Sequence, residues 1–170
     1  MIIKKTSALG ITEIDQLPLW LPLTSRDILD LVICLRKYPL SMDDTILKYP
    51  LQHYTLRLAS QDTEYVKIHG IAYMALDPIG LHDATIHFIR DPASRAKKEF
   101  YLDTARKFVI HSLIKYNLPR ITLTVVDGQH DALKISQQIG FKHEGTLRQY
   151  RVIDGIPRDI HILSVLRSEV

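Results

Sequence analysis

The chain has 170 residues, 46% of them apolar and 24% charged, the balance of an ordinary globular domain large enough to bury a core without staples. A formal charge of +3 is too mild to mark a nucleic-acid-binding surface, and one cysteine, Cys34, excludes an internal disulfide and a cysteine metal cluster. No apolar stretch approaches the roughly 18 residues that cross a bilayer. Residues 1–6 lack the long apolar region of a signal peptide, so the default location is the cytoplasm of a cell or of a host cell. With no repeat and no linker-like segment, residues 1–170 read as a single domain, less regular over 1–52 and more regular over 53–170.

The predicted elements begin with a short strand over residues 1–6 and a helix over 11–17. A piece bounded by Pro18 and Pro22 separates these from a helix over 25–38, where Ser25 caps, Asp27 lies in the first turn, and Ile28, Leu31, Val32 and Leu35 recur at helical spacing. Cys34 falls in its apolar run and reads as a buried thiol. Leu19, Trp20, Leu21 and Leu23 are either a surface for a partner or a cover for the core or for an acceptor groove. Residues 41–44 start another short helix that ends before Pro50.

From His53 the period changes to two. Tyr54, Leu56 and Leu58 alternate with Thr55, Arg57 and Ala59, which predicts a strand paired through the turn 60–64 with a strand over 65–76. Asp77-Pro78-Ile79-Gly80 predicts a second turn and residues 84–89 a third strand, so 53–89 reads as a three-strand antiparallel meander. A long helix follows, capped by Ser94, with Ala96, Phe100, Ala105, Phe108, Val109, Ser112, Leu113 and Tyr116 on its apolar face and Asn117, Leu118 and Pro119 at its end. Residues 121–126 are a β-branched strand, 131–139 a helix closed by Gly140, and 141–152 and 158–166 two strands joined through Asp154-Gly155, a strong hairpin signal. The passage from 84–89 through the long helix to 121–126 is long enough for a parallel crossover. The whole is an α/β chain with a central mixed, mostly antiparallel sheet and helices on both faces.

This order resembles the GNAT acetyltransferase fold, and the C-terminal half resembles the family in wording. Gly140-Phe141-Lys142-His143-Glu144-Gly145-Thr146-Leu147-Arg148, then Asp154-Gly155 and Asp159, is similar to the branch that acetylates ribosomal-protein N-termini and antibiotic amines. The resemblance runs from about Ala84 to the C-terminus. It implies that strands 84–89 and 121–126 splay in a V holding acetyl-CoA. Phe88, Ile89 and Arg90 would line the V, Arg95, Lys97 and Lys98 would meet the phosphates, Gln129 would stand where the family has an asparagine, and Phe141 would pack beneath the cofactor arm.

One stretch departs from the family. Its pyrophosphate loop, R/Q-x-x-G-x-G/A, aligns with Arg95-Ala96-Lys97-Lys98-Glu99-Phe100, so Lys98 and Phe100 stand where small residues allow close backbone approach. Either Lys97 and Lys98 offset the lost contacts with charge, or the loop has ceased to bind coenzyme A and Phe100 faces the core. Ser136 occupies the place of the family's tyrosine acid. His87 is the base of choice because an imidazole titrates near neutrality, with His82 and Glu99 behind it; its bland reading is a half-exposed strand histidine opposite Ile86 and Phe88. The other histidines show no metal-ligand spacing.

Two function classes emerge. One is an acetyl-CoA-dependent N-acetyltransferase acting on a primary amine or a protein N-terminus. The other is a catalytically degenerate GNAT-fold component of an assembly, for which the basic, aromatic loop resembles GNAT-like head-assembly and internal virion proteins of tailed phages. Neither implies nucleic acid or membrane, and edge strands at the final hairpin admit a homodimer.

Overall fold

The computed structural model describes residues 20–36, 52, 55, 56, 59–68, 71–91 and 93–170. The expected elements over 1–6, 11–17 and 41–44 lie outside them. Seven strands form one sheet: β1 (Leu21–Pro22), β2 (Glu64–Ile68), β3 (Ala72–Ile79), β4 (Asp83–Arg90), β5 (Arg120–Val126), β6 (Lys142–Ile153) and β7 (Ile156–Leu166), in the order β1-β2-β3-β4-β5-β7-β6. Every neighbouring pair is antiparallel except β4 and β5, which are parallel and joined by the crossover helix α2 (Lys98–Lys115). Helix α1 (Ile28–Arg36) and helix α3 (His130–Ile139) complete the described architecture. The sheet is mixed and mostly antiparallel, as the residue pattern predicts.

Alternation along the strands sorts side chains between two faces. Val66, Met74, Leu76, Ile86, Ile121, Leu123, Leu163 and Val165 point to one face and pack with Tyr101, Ala105, Phe108, Val109 and Leu113 of α2 and Ile139 of α3. The α2 residues recur at helical spacing, which is why this segment is a helix and why it lies on that face. Thr104 and Ser112 are buried in the same stripe and satisfy their hydroxyls on the carbonyls one turn back, Phe100 at 2.8 Å and Phe108 at 2.7 Å. On the opposite face Ile28, Leu31 and Val32 of α1 pack with Tyr65, Tyr73 and Ile89.

Several expectations need correction. Of the predicted strand 53–59, the described Thr55 and Leu56 are helical, and the Ala59 N–H donates to both of their carbonyls at 3.2 Å. Leu56 is 71% exposed, so at the described positions the alternation buries no apolar side chain. The single strand 65–76 is instead two, β2 and β3, and the three-strand meander is β2–β3–β4. Asp77-Pro78-Ile79 belongs to β3 rather than to a turn. Its register against β4 slips between Leu76 and Ile79, a bulge that accommodates a proline with no N–H to offer the ladder.

Caps move as well. Thr24, not Ser25, starts the first helical turn: its N–H and hydroxyl both donate to Asp27 Oδ2 at 2.8 Å. Lys97, not Ser94, precedes α2, while the Ser94 hydroxyl accepts from the Ala96 N–H at 3.2 Å. Of the apolar N-terminal cluster, Trp20 belongs to the core, whereas Leu21 is 57% exposed. The Trp20 ring meets Phe108 edge-on at 5.3 Å and is only 9% exposed. Cys34 is a buried free thiol.

Candidate functional site

The site begins where two strands stop pairing. β4 and β5 are in register only at Asp83↔Arg120, Ala84↔Ile121 and Thr85↔Thr122. Beyond that, β4 keeps its antiparallel partner β3 as far as Arg90↔Ala72, and β5 keeps β7 as far as Val126↔Ile160. The two strands therefore diverge with a slot between them, bordered by residues 86–90 of β4 and 123–126 of β5. This is the V expected for strands 84–89 and 121–126.

At the mouth of the slot β4 runs into residues 91–97 and then α2. Arg90 Nη2 donates to the Ala96 carbonyl at 3.0 Å, and Asp91 Oδ1 accepts the Ala93 N–H at 2.9 Å, so the turn is braced from both sides. Lys97 is extended (φ −61°, ψ 144°) and caps α2 with no side-chain bond, leaving the first-turn amides and the positive end of the helix dipole facing the loop. Among the described residues, positive φ angles fall at 117, 128, 140, 149, 154 and 155 and none in 93–100. The loop thus needs no glycine for its backbone path, and Lys98 and Phe100 fit it without strain. Arg95 and Lys97 are exposed and Lys98 is half-buried, with Glu99 the acidic neighbour. Phe100 does not face the core. It is 42% exposed, and Tyr101, at 3%, takes the core place instead.

The far wall is α3 and the chain leading out of it. Gln129 lies at the end of β5, its N–H on the Val126 carbonyl at 3.1 Å and its own carbonyl accepting from Leu133 at 3.1 Å. Ser136 is buried, and its Oγ donates to the Ala132 carbonyl at 2.8 Å. The Ser136 carbonyl accepts the N–H groups of Gly140 (3.2 Å) and Phe141 (3.1 Å), a helix ending that Gly140 permits by taking φ 123°. Phe141 is sealed at 2% exposure and meets Phe88 edge-on, with ring centroids 6.2 Å apart. It belongs to the core on the α2 side of the sheet. Arg106 had no signal in the sequence: from α2 it donates to the carbonyls of Gln138 (2.6 Å) and Ile139 (3.3 Å), locking the C-terminus of α3 to α2.

His87 lies on β4 just past the split, on the face away from α2, and its side chain is open to solvent. The Asp77 carbonyl, displaced by the bulge in β3, lies 3.2 Å from His87 Nε2. A carbonyl only accepts, so Nε2 carries the proton and Nδ1 has the free lone pair. Tyr65 in turn donates its hydroxyl to the Asp77 carboxylate. Crowding by protein lowers the His87 pKa from its ordinary 6.5, the Asp77 carbonyl and carboxylate oppose, and the charge of Arg151 lowers it further. His82 is exposed in the turn before β4. Among the described residues no group of three His, Cys, Asp or Glu is gathered as a metal ion would need, and no helix is long and apolar enough to cross a membrane.

A parallel pair that splays, a crossover helix starting at the mouth, and a Gly-Phe pair leading into a terminal hairpin are the architecture of GNAT acetyltransferases, and this chain has that fold. Solved structures agree. The spermidine N-acetyltransferase from Vibrio cholerae in complex with CoA and spermine superposes with a TM-score of 0.75 at 18% identity, over 88% of this chain and 95% of that one. Its dodecameric form in an intermediate state gives 0.71 at 19% identity over 88% and 94%. A probable acetyltransferase gives 0.71 at 16% identity over 89% and 93%. No family model and no curated protein matches the sequence. Identities this low carry the fold and leave the chemistry to the site. None of these matches supports the alternative of a virion-assembly part.

Proposed function

We propose that this chain is an acetyl-CoA-dependent N-acetyltransferase acting on a primary amine. The observation that carries the reading is the parting of β4 and β5 after Thr85 and Thr122, with an uncapped helix N-terminus and three cationic residues at the open end. The residues present fit the cofactor. Beyond Thr85 no residue of β5 pairs with β4, so the β4 edge at Phe88, Ile89 and Arg90 can take an extended arm. Arg95, Lys97 and Lys98, together with the first-turn amides of α2, suit a pyrophosphate. Gln129 stands at the opposite lip, and the ring of Phe141 underpins the slot. Acetyl-CoA, when bound, supplies an already activated acyl group, so the protein's task is mostly to orient and to move protons.

His87 takes the proton from the attacking amine, which must be neutral to react. Its Nδ1 is the accepting atom because Nε2 is committed to Asp77. A lowered pKa keeps the ring neutral, hence basic, at pH 7. Tyr65 and Asp77 hold the ring's orientation through the bulge. Ser136 is the candidate proton donor at the α3 wall, and donation requires its hydroxyl to turn from the Ala132 carbonyl.

The test is thermal denaturation with and without acetyl-CoA. Native-state binding raises the melting temperature by linkage, and millimolar acetyl-CoA is expected to do so measurably while CoA-free buffer does not. An unchanged melting temperature at millimolar ligand would discard the reading.

A further inference from the structure

We propose that Arg151 and Arg158 form an anion-binding subsite for the acceptor, so that the amine presented to His87 belongs to a molecule that also carries a carboxylate or phosphate. This rests on the acetyltransferase reading.

Arg151 of β6 and Arg158 of β7 are register partners, so their side chains leave the hairpin on the same side, with Cβ atoms about 5 Å apart. Like charges placed directly opposite in a ladder are destabilising on their own. Both residues are half-buried, and the Arg158 Nε is fully buried without a hydrogen-bond partner. Neither guanidinium forms an ion pair or donates a hydrogen bond among the described residues. Elsewhere Lys67 pairs with Asp27, Arg106 binds helix-end carbonyls, and Arg120 reaches Glu144 at 3.6 Å although its own Nε is also buried without a partner. Two facing arginines with no counter-charge on either are an arrangement that an anionic ligand would complete.

Position connects the pair to the site. Along β7, Arg158 alternates with Asp159 and so shares a face with Ile160, which packs on Val126 of β5 and Ile153 of β6. That is the face of β4 on which His87 stands. Arg151 is near enough to His87 for its charge to act on the imidazole. A planar guanidinium pair matches the paired oxygens of a carboxylate or phosphate, whereas a polyamine would bring further positive charge to two that are already unpaired.

The test uses the whole chain and four probes: the peptide amides Ser-Glu-Glu-Ala and Ser-Gln-Gln-Ala, the phosphoserine version of the former in place of its first Glu, and spermidine. Binding is read by calorimetry and acetyl transfer by thiol release. The acidic peptide is expected to bind at least about tenfold more tightly than the neutral one, with the advantage shrinking in high salt and spermidine weakest. The phosphoserine arm tells which anion is preferred. In the Arg151→Gln/Arg158→Gln variant the two peptides should bind alike while acetyl-CoA affinity is unchanged. Equal binding of acidic and neutral peptides by the unaltered chain overturns the subsite, whatever the variant does. Loss of acetyl-CoA stabilisation is a separate result and bears on the enzyme reading alone.

Discussion

On the face under α2 and α3, alternate residues of β3, β4, β5 and β7 are apolar and sealed, from Met74 and Leu76 through Ile86 and Ile121 to Leu163. On the opposite face the same strands present Tyr73, His87, Thr122, Thr124 and Arg158, and among the described residues α1 covers only the part around Tyr65, Tyr73 and Ile89. The first face gives the domain its stability. The second retains titratable and charged groups that no packing argument requires. The contrast teaches where the chemistry lies: a sheet that needed only to fold would have no use for an unpaired arginine couple beside a solvent-reached imidazole.

The comparison can be broken most forcefully from the sealed face. Phe108 is fully buried between the sheet and Trp20, so Phe108→Ala should cost about 3–5 kcal/mol in chemical denaturation, with loss of folded protein at moderate temperature. On the open face, His87→Gln should leave the melting temperature nearly unchanged and lower the acetyl-transfer rate at pH 7 by about a hundredfold, the scale of a lost general base. A melting temperature that falls as far as for Phe108→Ala would mean that His87 is structural.

A smaller effect sharpens the boundary between the faces at α1. Lys67 holds the Asp27 carboxyl down from 3.8 to about 2, helped by Thr24. A depressed folded-state pKa contributes stability that is present above 3.8 and lost as pH falls through about 2. Asp27→Asn should therefore cost about 1 kcal/mol near neutrality, the scale of a helix cap, and flatten the acid limb of the stability curve. Smallest of all, Arg151→Gln should move the acid limb of the pH–rate profile to higher pH, because the charge removed is one that lowers the His87 pKa. A limb that stays in place would separate Arg151 from the base.

Much of the second half was legible. Residues 120–126, 130–139 and the terminal hairpin fall within a residue or two of expectation because each carries its own signal: β-branched residues, a closing glycine, and Asp154-Gly155, whose φ angles of 51° and 73° suit the tight turn. At the described Thr55 and Leu56 the strand expected over 53–59 gives way to helix, because alternation shows a repeat but not whether anything covers it. Phe100 and Tyr101 are adjacent on α2, and local spacing did not tell which one turns inward; the sheet beneath decided. The missing glycines leave the side chains of Lys98 and Phe100 beside a loop whose backbone never enters the region that favours glycine.

By itself, then, the sequence determined the order and kind of the elements after Asp83, the alternation that separates the two faces, and the presence of a histidine on the strand that borders the V. Those are local matters of side-chain period and turn chemistry. Tertiary structure alone decided that β5 leaves β4 after three paired residues, that the Asp77 bulge sets the His87 tautomer, and that Arg151 and Arg158 face one another without a counter-charge. Such relations depend on register and on contacts between distant segments, and neighbours along a chain carry no record of either.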